Sequence, residues 1–282
     1  MTNQINDFNK SLIEIKYKNQ IIDQKIEAFY SYLYNFKNDS SIYQLIKPKG
    51  IKGKKKIRVG SKKDGGYVLL DDFDKIKIAY SFGIGGEISF DKALADKNID
   101  VFMYDHTIRK LPFKNPKFHW RKIGLTSKKG KEDNMKTLIE LLQENGHINE
   151  KNMILKMDIE GCEWEILKDI KSDILKQFRF IVAEFHFQSK SFSFYSKAFK
   201  KLNLTHQIFH IHCNNYWPII NIDGNNICSL LEISFAIKEN NTFIKSEDYF
   251  PVSNIDYPNH KNLIDFDEIL NIFQIDNIFP IL

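Results

Sequence analysis

From residue 56 onward, short apolar runs alternate with segments of helical period, and this alternation restricts the chain to a layered α/β fold. "KIAYSFG" (Lys77–Gly83), "IDVFMYD" (Ile99–Asp105), "KFHWRKIGL" (Lys117–Leu125) and "MILKMD" (Met153–Asp158) read as strands. So do "FRFIVAEFHF" (Phe178–Phe187), "QIFHIHC" (Gln207–Cys213) and "SLLEISFAIK" (Ser229–Lys238). Phe90–Asn98, Asp133–Gly146, Cys162–Ile170 and Ser193–Asn203 carry helical spacing between them. The expectation is a Rossmann-like, doubly wound seven-stranded sheet. No helical pattern separates the last two strands, so a hairpin there makes the last strand antiparallel.

Ahead of this region, residues 5–36 keep a heptad register. Ile5, Leu12, Asn19, Ile26 and Leu33 fall at a; Phe8, Ile15, Ile22, Phe29 and Phe36 fall at d. An Asn at one a position is a register device in two-stranded coils. This predicts an N-terminal helical segment, residues 1–50, that joins copies into a homo-oligomer; a helix packed on its own domain fits the same spacing. Pro48–Lys56 reads as a linker and the run Lys49–Arg58 as solvated. Residues 51–282 are then the second unit.

Composition excludes more than it assigns. The net charge of +5 comes almost wholly from Lys, with only Arg58, Arg109, Arg121 and Arg179. Arg-rich, aromatic-interleaved patches are missing, which argues against a nucleic-acid partner. No apolar run reaches the roughly 18 residues that span a bilayer, and the polar start is not a secretory signal. Cys162, Cys213 and Cys228 form neither a framework nor a CxxC pair. A reducing, cytoplasmic location is expected.

The first strand runs into "SFGIGGEISF" (Ser81–Phe90), where Gly83, Gly85 and Gly86 precede a helix. About twenty residues on, the second strand ends in Asp105, placed to accept from ribose hydroxyls. The pair of signals indicates a nucleoside. A nicotinamide dinucleotide wants G-x-G-x-x-G, but here the third Gly is missing and Glu87 stands where pyrophosphate would lie. S-adenosylmethionine has no phosphate to repel, and its ammonium and sulfonium tolerate acids.

The stretches "KKDGGYVLLDD", "YSFGIGGEISFDKAL", "LKMDIEGCEWEIL" and "IVAEFHF" together resemble FkbM-type and related class I S-adenosylmethionine-dependent methyltransferases, over about Arg58–Lys238. D-x-E-G-x-E after the fourth strand is their most specific element. The resemblance implies O-methylation of sugars, polyketides or lipids, often in polysaccharide pathways. One departure is Ser81, where many class I enzymes carry an acid that helps hold the cofactor tail; "DGGY" (Asp64–Tyr67) is a substitute source of polar contacts. The cofactor set expected is therefore Asp64, Gly65, Gly66, Tyr67, Ser81, Gly83, Gly85, Glu87, Asp105, His106, Leu125 and Asp158.

Methyl transfer to an alcohol needs in-line alignment and removal of a proton from a hydroxyl that is too weak an acid to ionise alone. Asp158 and Glu160 end the fourth strand, and Glu184 and His186 share one face of the fifth by its period of two. His186 is the expected base, with Asp158 and Glu184 next and Glu160 beside them. A divalent Mg or Mn held by Asp158, Glu184 and His186 is the less favoured arrangement. Glu163 and Glu165 read as helix-start acids complementing the dipole. His210, His212 and "NNYWP" (Asn214–Pro218) read as substrate-side lining, with "DYPNHKN" (Asp256–Asn262) as a lip. The expected activity is O-methylation of a sugar hydroxyl on a sugar nucleotide or surface-polysaccharide precursor. Lipid, protein or RNA acceptors, and a non-catalytic cofactor-binding scaffold, are the alternatives.

Overall fold

The computed structural model describes residues 16, 18–19, 22–23, 26, 42–130, 134–188, 190–263, 265–267 and 270. Most of the heptad segment lies outside the described residues; the six described positions in it are helical. The central sheet has seven strands: β4 (Ile78–Phe82), β5 (Asp100–Tyr104), β6 (Phe118–Arg121), β9 (Met153–Met157), β10 (Phe178–His186), β11 (His206–Cys213) and β14 (Leu230–Ile237). Their order is β11-β14-β10-β9-β4-β5-β6. Neighbours from β10 to β6 run parallel, while β14 is antiparallel to both β10 and β11. The chain therefore leaves β4 towards β5 on one side and returns to β9 on the other. That reversal is the topological switch point where open α/β sheets bind ligands.

Core side chains divide between the two faces by the strand period. Met153, Leu155 and Met157 of β9 join Ile181, Ala183 and Phe185 of β10 on one face. There they meet helices α1 (Ile42–Ile46), α3 (Leu138–Glu144), α4 (Glu163–Asp169) and α6 (Phe192–Leu202). In α6, Tyr195, Ala198, Phe199 and Leu202 face inward at i, i+3, i+4 and i+7, with Lys197 and Lys200 outside. Trp164 of α4 stands edge-on to Tyr195 and Phe199 and beside Phe185. On the other face, Ile154, Phe180 and Val182 meet α2 (Ser89–Asp96) and the ribbon of β2 (Lys56–Val59) and β3 (Tyr67–Leu70).

Three details depart from the sequence reading. The supposed linker is structured: β1 (Lys49–Ile51) pairs with β15 (Phe243–Lys245), and Lys56–Val59 forms β2. The helix expected from Asp133 starts only at Leu138. Met135–Lys136 (β8) pairs with Gly124–Leu125 (β7), and Thr137 with Glu140 then closes a capping box that fixes the helix start. Cys213 and Cys228 are joined as a disulfide between β11 and β13 (Asn225–Cys228), the second strand of a hairpin begun by β12 (Ile219–Ile222). Their pairing overturns the expectation of three unlinked thiols; it depends on the hairpin folding back, which the spacing alone does not show. The short helix α5 (Ser172–Leu175) completes the described elements.

Candidate active site

At the switch point a cavity of about 560 Å³ opens beyond the carboxyl ends of β4, β5 and β9. It receives Asp64, Gly83, Gly85, Glu87, Asp105, His106, Leu125 and Asp158 of the expected cofactor set, together with Glu160. Gly65, Gly66, Tyr67 and Ser81 lie behind the wall. A side chain on Gly65 would overlap Glu87, and one on Gly66 would overlap the Ser61 carbonyl. Tyr67 sends its hydroxyl to Asp158 Oδ2 at 3.4 Å. Ser81 pairs in register with Lys156 below the cavity floor. Sequence reasoning named Gly86 in the turn but missed Thr107, Ile159 and Cys162 in the lining.

The glycines divide their work. Gly83, at φ +72°, packs so tightly on the Asp158 carbonyl that any Cβ would collide with backbone. It joins β4 to β9. A Cβ on Gly85 or Gly86 meets nothing within 4 Å, so these two leave open room at the cavity wall. Asp105 braces the same turn. Its Oδ2 accepts from Ile84 N and Gly85 N, both at 2.9 Å, and its Oδ1 from Thr107 N (2.7 Å) and Thr107 Oγ1 (2.6 Å). Burial works to raise its pKa, but these bonds outweigh it and hold the carboxyl below its ordinary value. With the carboxylate's four lone-pair sites taken, binding a ribose here requires displacing one of these bonds.

A profile of the methyltransferase domain family matches residues 37–219. The chain belongs to this family. The match takes in β4, β5 and β9 and hence the cavity beyond their ends. No curated protein matches the sequence. Among solved structures, "Putative hemolysin from Streptococcus thermophilus" is 10% identical over 76% of this chain and 79% of that one, with a TM-score of 0.31. A likeness of that degree bears on neither fold nor activity.

The donor set fits the cofactor that a methyltransferase domain implies. Asp64, Glu87, Asp105, Asp158 and Glu160 line the cavity, and among the described residues no Lys or Arg does. An anionic wall favours a ligand carrying sulfonium and ammonium charge and opposes a pyrophosphate. Gly85 and Gly86 leave space for it, and Asp64, Glu87 and Asp158 are three of the wall's acids.

Beside this cavity lies a smaller one of about 210 Å³, and Leu125, Met135 and Cys162 line both. His186 faces the smaller cavity with Gln188, Lys190, Phe194 and Tyr195. Its Nε2 is 3.3 Å from Glu160 Oε2, and its Nδ1 is 3.2 Å from Glu163 Oε1. Trp164 Nε1 donates to the His186 carbonyl at 2.8 Å and fixes the strand end. Burial would lower the His186 pKa, but Glu163, Asp158 and Glu160 outweigh it and raise the value.

Asp158, Glu160 and His186 therefore converge, with one ligand atom of each within 4.8 Å of the others. Glu184, expected with them, groups instead with Asp64 and Glu232. Glu184, Glu232 and His212 lie directly opposite one another across β10, β14 and β11. Asn214 Nδ2 donates to Glu184 at 3.0 Å, and Asn259 Nδ2 to Glu232 at 2.6 Å. Burial first, then Asp158 and Glu232, push the Glu184 carboxyl well above its usual range.

His210 and His212 are used by the C-terminal segment. His210 Nε2 meets Asp256 at 2.8 Å, His212 Nδ1 meets Asp267 at 2.6 Å, and His212 Nε2 meets Asn259 at 2.9 Å. All three pairs are buried, so these histidines clamp the chain rather than line a pocket. The "NNYWP" and "DYPNHKN" loops do touch: Asn215 exchanges two hydrogen bonds with the His260 backbone, and Tyr216 packs edge-on against its ring. Lys156, missed from sequence, is buried in β9; it reaches the Phe82 and Gly83 carbonyls and stands 3.5 Å from Asp158. Its only sequence signal is a lone charge inside an apolar strand.

Proposed function

We propose that this protein is an S-adenosylmethionine-dependent O-methyltransferase acting on a sugar hydroxyl, carried by a sugar nucleotide or a surface-polysaccharide precursor. One observation carries the reading: an acid-lined cavity at the switch point adjoins a second cavity, and His186 stands beside their shared wall. When bound, the cofactor supplies an electrophilic methyl group on a cationic sulfur. Asp64, Glu87 and Asp158 would hold it; Asp105 keeps the glycine turn in shape.

The acceptor fits the smaller cavity, which has room for a single ring-sized group. Phe194 and Tyr195 offer apolar surface there, Thr126 and Gln188 offer hydrogen bonds, and Lys190 offers a cation for a phosphate. His186 Nε2 takes the hydroxyl proton, worth about 10²–10⁴ in rate for a positioned base. Glu160, largely exposed, passes that proton on to water. The FkbM-type resemblance and the sugar acceptor belong to this proposal, as does self-association through the heptad segment.

Calorimetry with S-adenosylhomocysteine and with NAD tests the cofactor; the first binds and the second does not, and the reverse result overturns the assignment. His186→Ala keeps S-adenosylhomocysteine affinity and loses at least about 100-fold in turnover of a uridine- or thymidine-diphosphate sugar. Full turnover in that variant removes the base. Activity that survives EDTA supports proton transfer to His186 over a bound cation.

A further inference from the structure

Glu163 is too deeply placed for a helix-start acid. It and Glu165 occupy the same first turn of α4, where the dipole favours either one from the surface. Glu165 is exposed, but Glu163 has no solvent exposure. Burying a carboxylate costs several kcal/mol unless other groups compensate it. Glu163 Oε1 accepts from Ile159 N at 2.8 Å, which anchors the side chain to the loop carrying Asp158 and Glu160. The same oxygen is 3.2 Å from His186 Nδ1. Glu163 Oε2 and His186 Nδ1 are both buried, and neither has another hydrogen-bond partner among the described residues. A small rotation of the imidazole would bring Nδ1–H onto the Glu163 carboxylate.

We propose that Glu163 is a positioning residue: its carboxylate accepts from His186 Nδ1–H, fixing the tautomer whose Nε2 lone pair faces the acceptor. The inference rests on the O-methyltransferase reading for its chemical meaning. In the transfer, the acceptor oxygen bonds to the methyl carbon, and the carbon–sulfur bond breaks with its electron pair on sulfur. The hydroxyl proton moves to Nε2. The imidazolium so formed is neutralised from behind by Glu163, as a carboxylate behind a catalytic histidine does elsewhere. Only the Nδ1–H tautomer has a lone pair on the outward nitrogen, so a ring flipped or protonated at Nε2 is inert.

The test reads the tautomer directly. Nitrogen-15 spectra of the full chain labelled at histidine, with His186 assigned by its loss in His186→Gln, show the Nδ1–H form in neutral rings. In Glu163→Gln, which keeps the shape of the side chain, the Nε2–H form gains population. With a sugar nucleotide that the wild type methylates, Glu163→Gln loses about 10–100-fold in kcat, as for other groups that orient a functional histidine. KM and S-adenosylhomocysteine affinity stay within twofold, and Glu163→Asp recovers part of the rate. An Nε2–H tautomer in the wild type overturns the proposal, and so does a Glu163→Gln variant with unchanged tautomer and kcat. Should no sugar acceptor be methylated while the wild-type tautomer is Nδ1–H, the acceptor assignment fails and the positioning stands. The wild-type spectrum decides even if the variant does not fold.

Discussion

Carboxylates at the ends of β9 and β10 lie close enough to set one another's charge, and the sequence shows only some of them. Asp158, Glu160 and His186 were legible because strand ends at a switch point collect ligands and because alternation puts residues on known faces. Glu163 was not: whether a first-turn acid points out or in depends on how the helix is rotated against the sheet, which spacing alone leaves open. Glu232 hid in the apolar run "LLEISF", where alternation makes a half-buried polar position ordinary. Buried histidines were equally opaque, and His206 has a measurable consequence. Its Nε2 donates to the Phe178 carbonyl and its Nδ1 accepts from Thr205 Oγ1. Burial pushes its pKa down to about 4; the Phe178 carbonyl opposes this, and Lys238 adds to it. The folded chain thus keeps the ring neutral, while the unfolded chain protonates it near the usual 6.5. The stability it contributes is full above pH 6.5 and is lost as pH falls towards 4, by about 3 kcal/mol. Urea midpoints measured across that window fall more steeply for wild type than for His206→Gln; equal slopes would falsify the assignment.

At the scale of elements, all seven strands of the main sheet were readable, since most are apolar runs long enough to cross a covered sheet, β6 with its His119 and Arg121 being the exception. The small ribbons were not. β1 and β2 lie within the run Lys49–Arg58, and Lys is what exposed edge strands carry to block further pairing. Composition therefore cannot separate such an edge from a linker. The hairpin of β12 and β13 was equally hidden, and with it the Cys213–Cys228 bond, which encloses 15 residues of sequence separation. A loop of that length contributes about 3 kcal/mol through the unfolded state. Dithiothreitol should lower the thermal midpoint by several degrees, and Cys228→Ser should reproduce the loss without reductant. A thiol assay on unfolded chain should count one group before reduction and three after. Three groups before reduction, with an unchanged melt, would show that the bond does not form.

On the scale of the whole molecule, the order of the sheet decides where chemistry can happen; alternation of strands and helices pointed to a doubly wound sheet, and the structure supplies the order of its strands. What the alternation cannot give is how distant segments close over the sheet. The β2–β3 ribbon lies over β14, with Ser234 Oγ donating to the Val68 carbonyl, and Asp256, Asn259 and Asp267 arrive from the far end of the chain. Such long-range covering depends on contacts between segments that share no local pattern. The family match begins only at residue 37, so the register from Ile5 to Phe36 lies outside it. Two of its described positions, Ile22 at d and Ile26 at a, are 53% and 48% exposed in the single chain. Apolar residues at a and d are stable in that state only when another helix covers them. In the self-association proposed above, a second copy of the same segment would supply a matching seam, with Asn19 setting the register. The chain lacking residues 1–40 should then scatter light as a monomer and still bind S-adenosylhomocysteine, while the full chain scatters as a multiple of it. Equal numbers of chains per particle in the two proteins would assign those isoleucines to a contact within one chain.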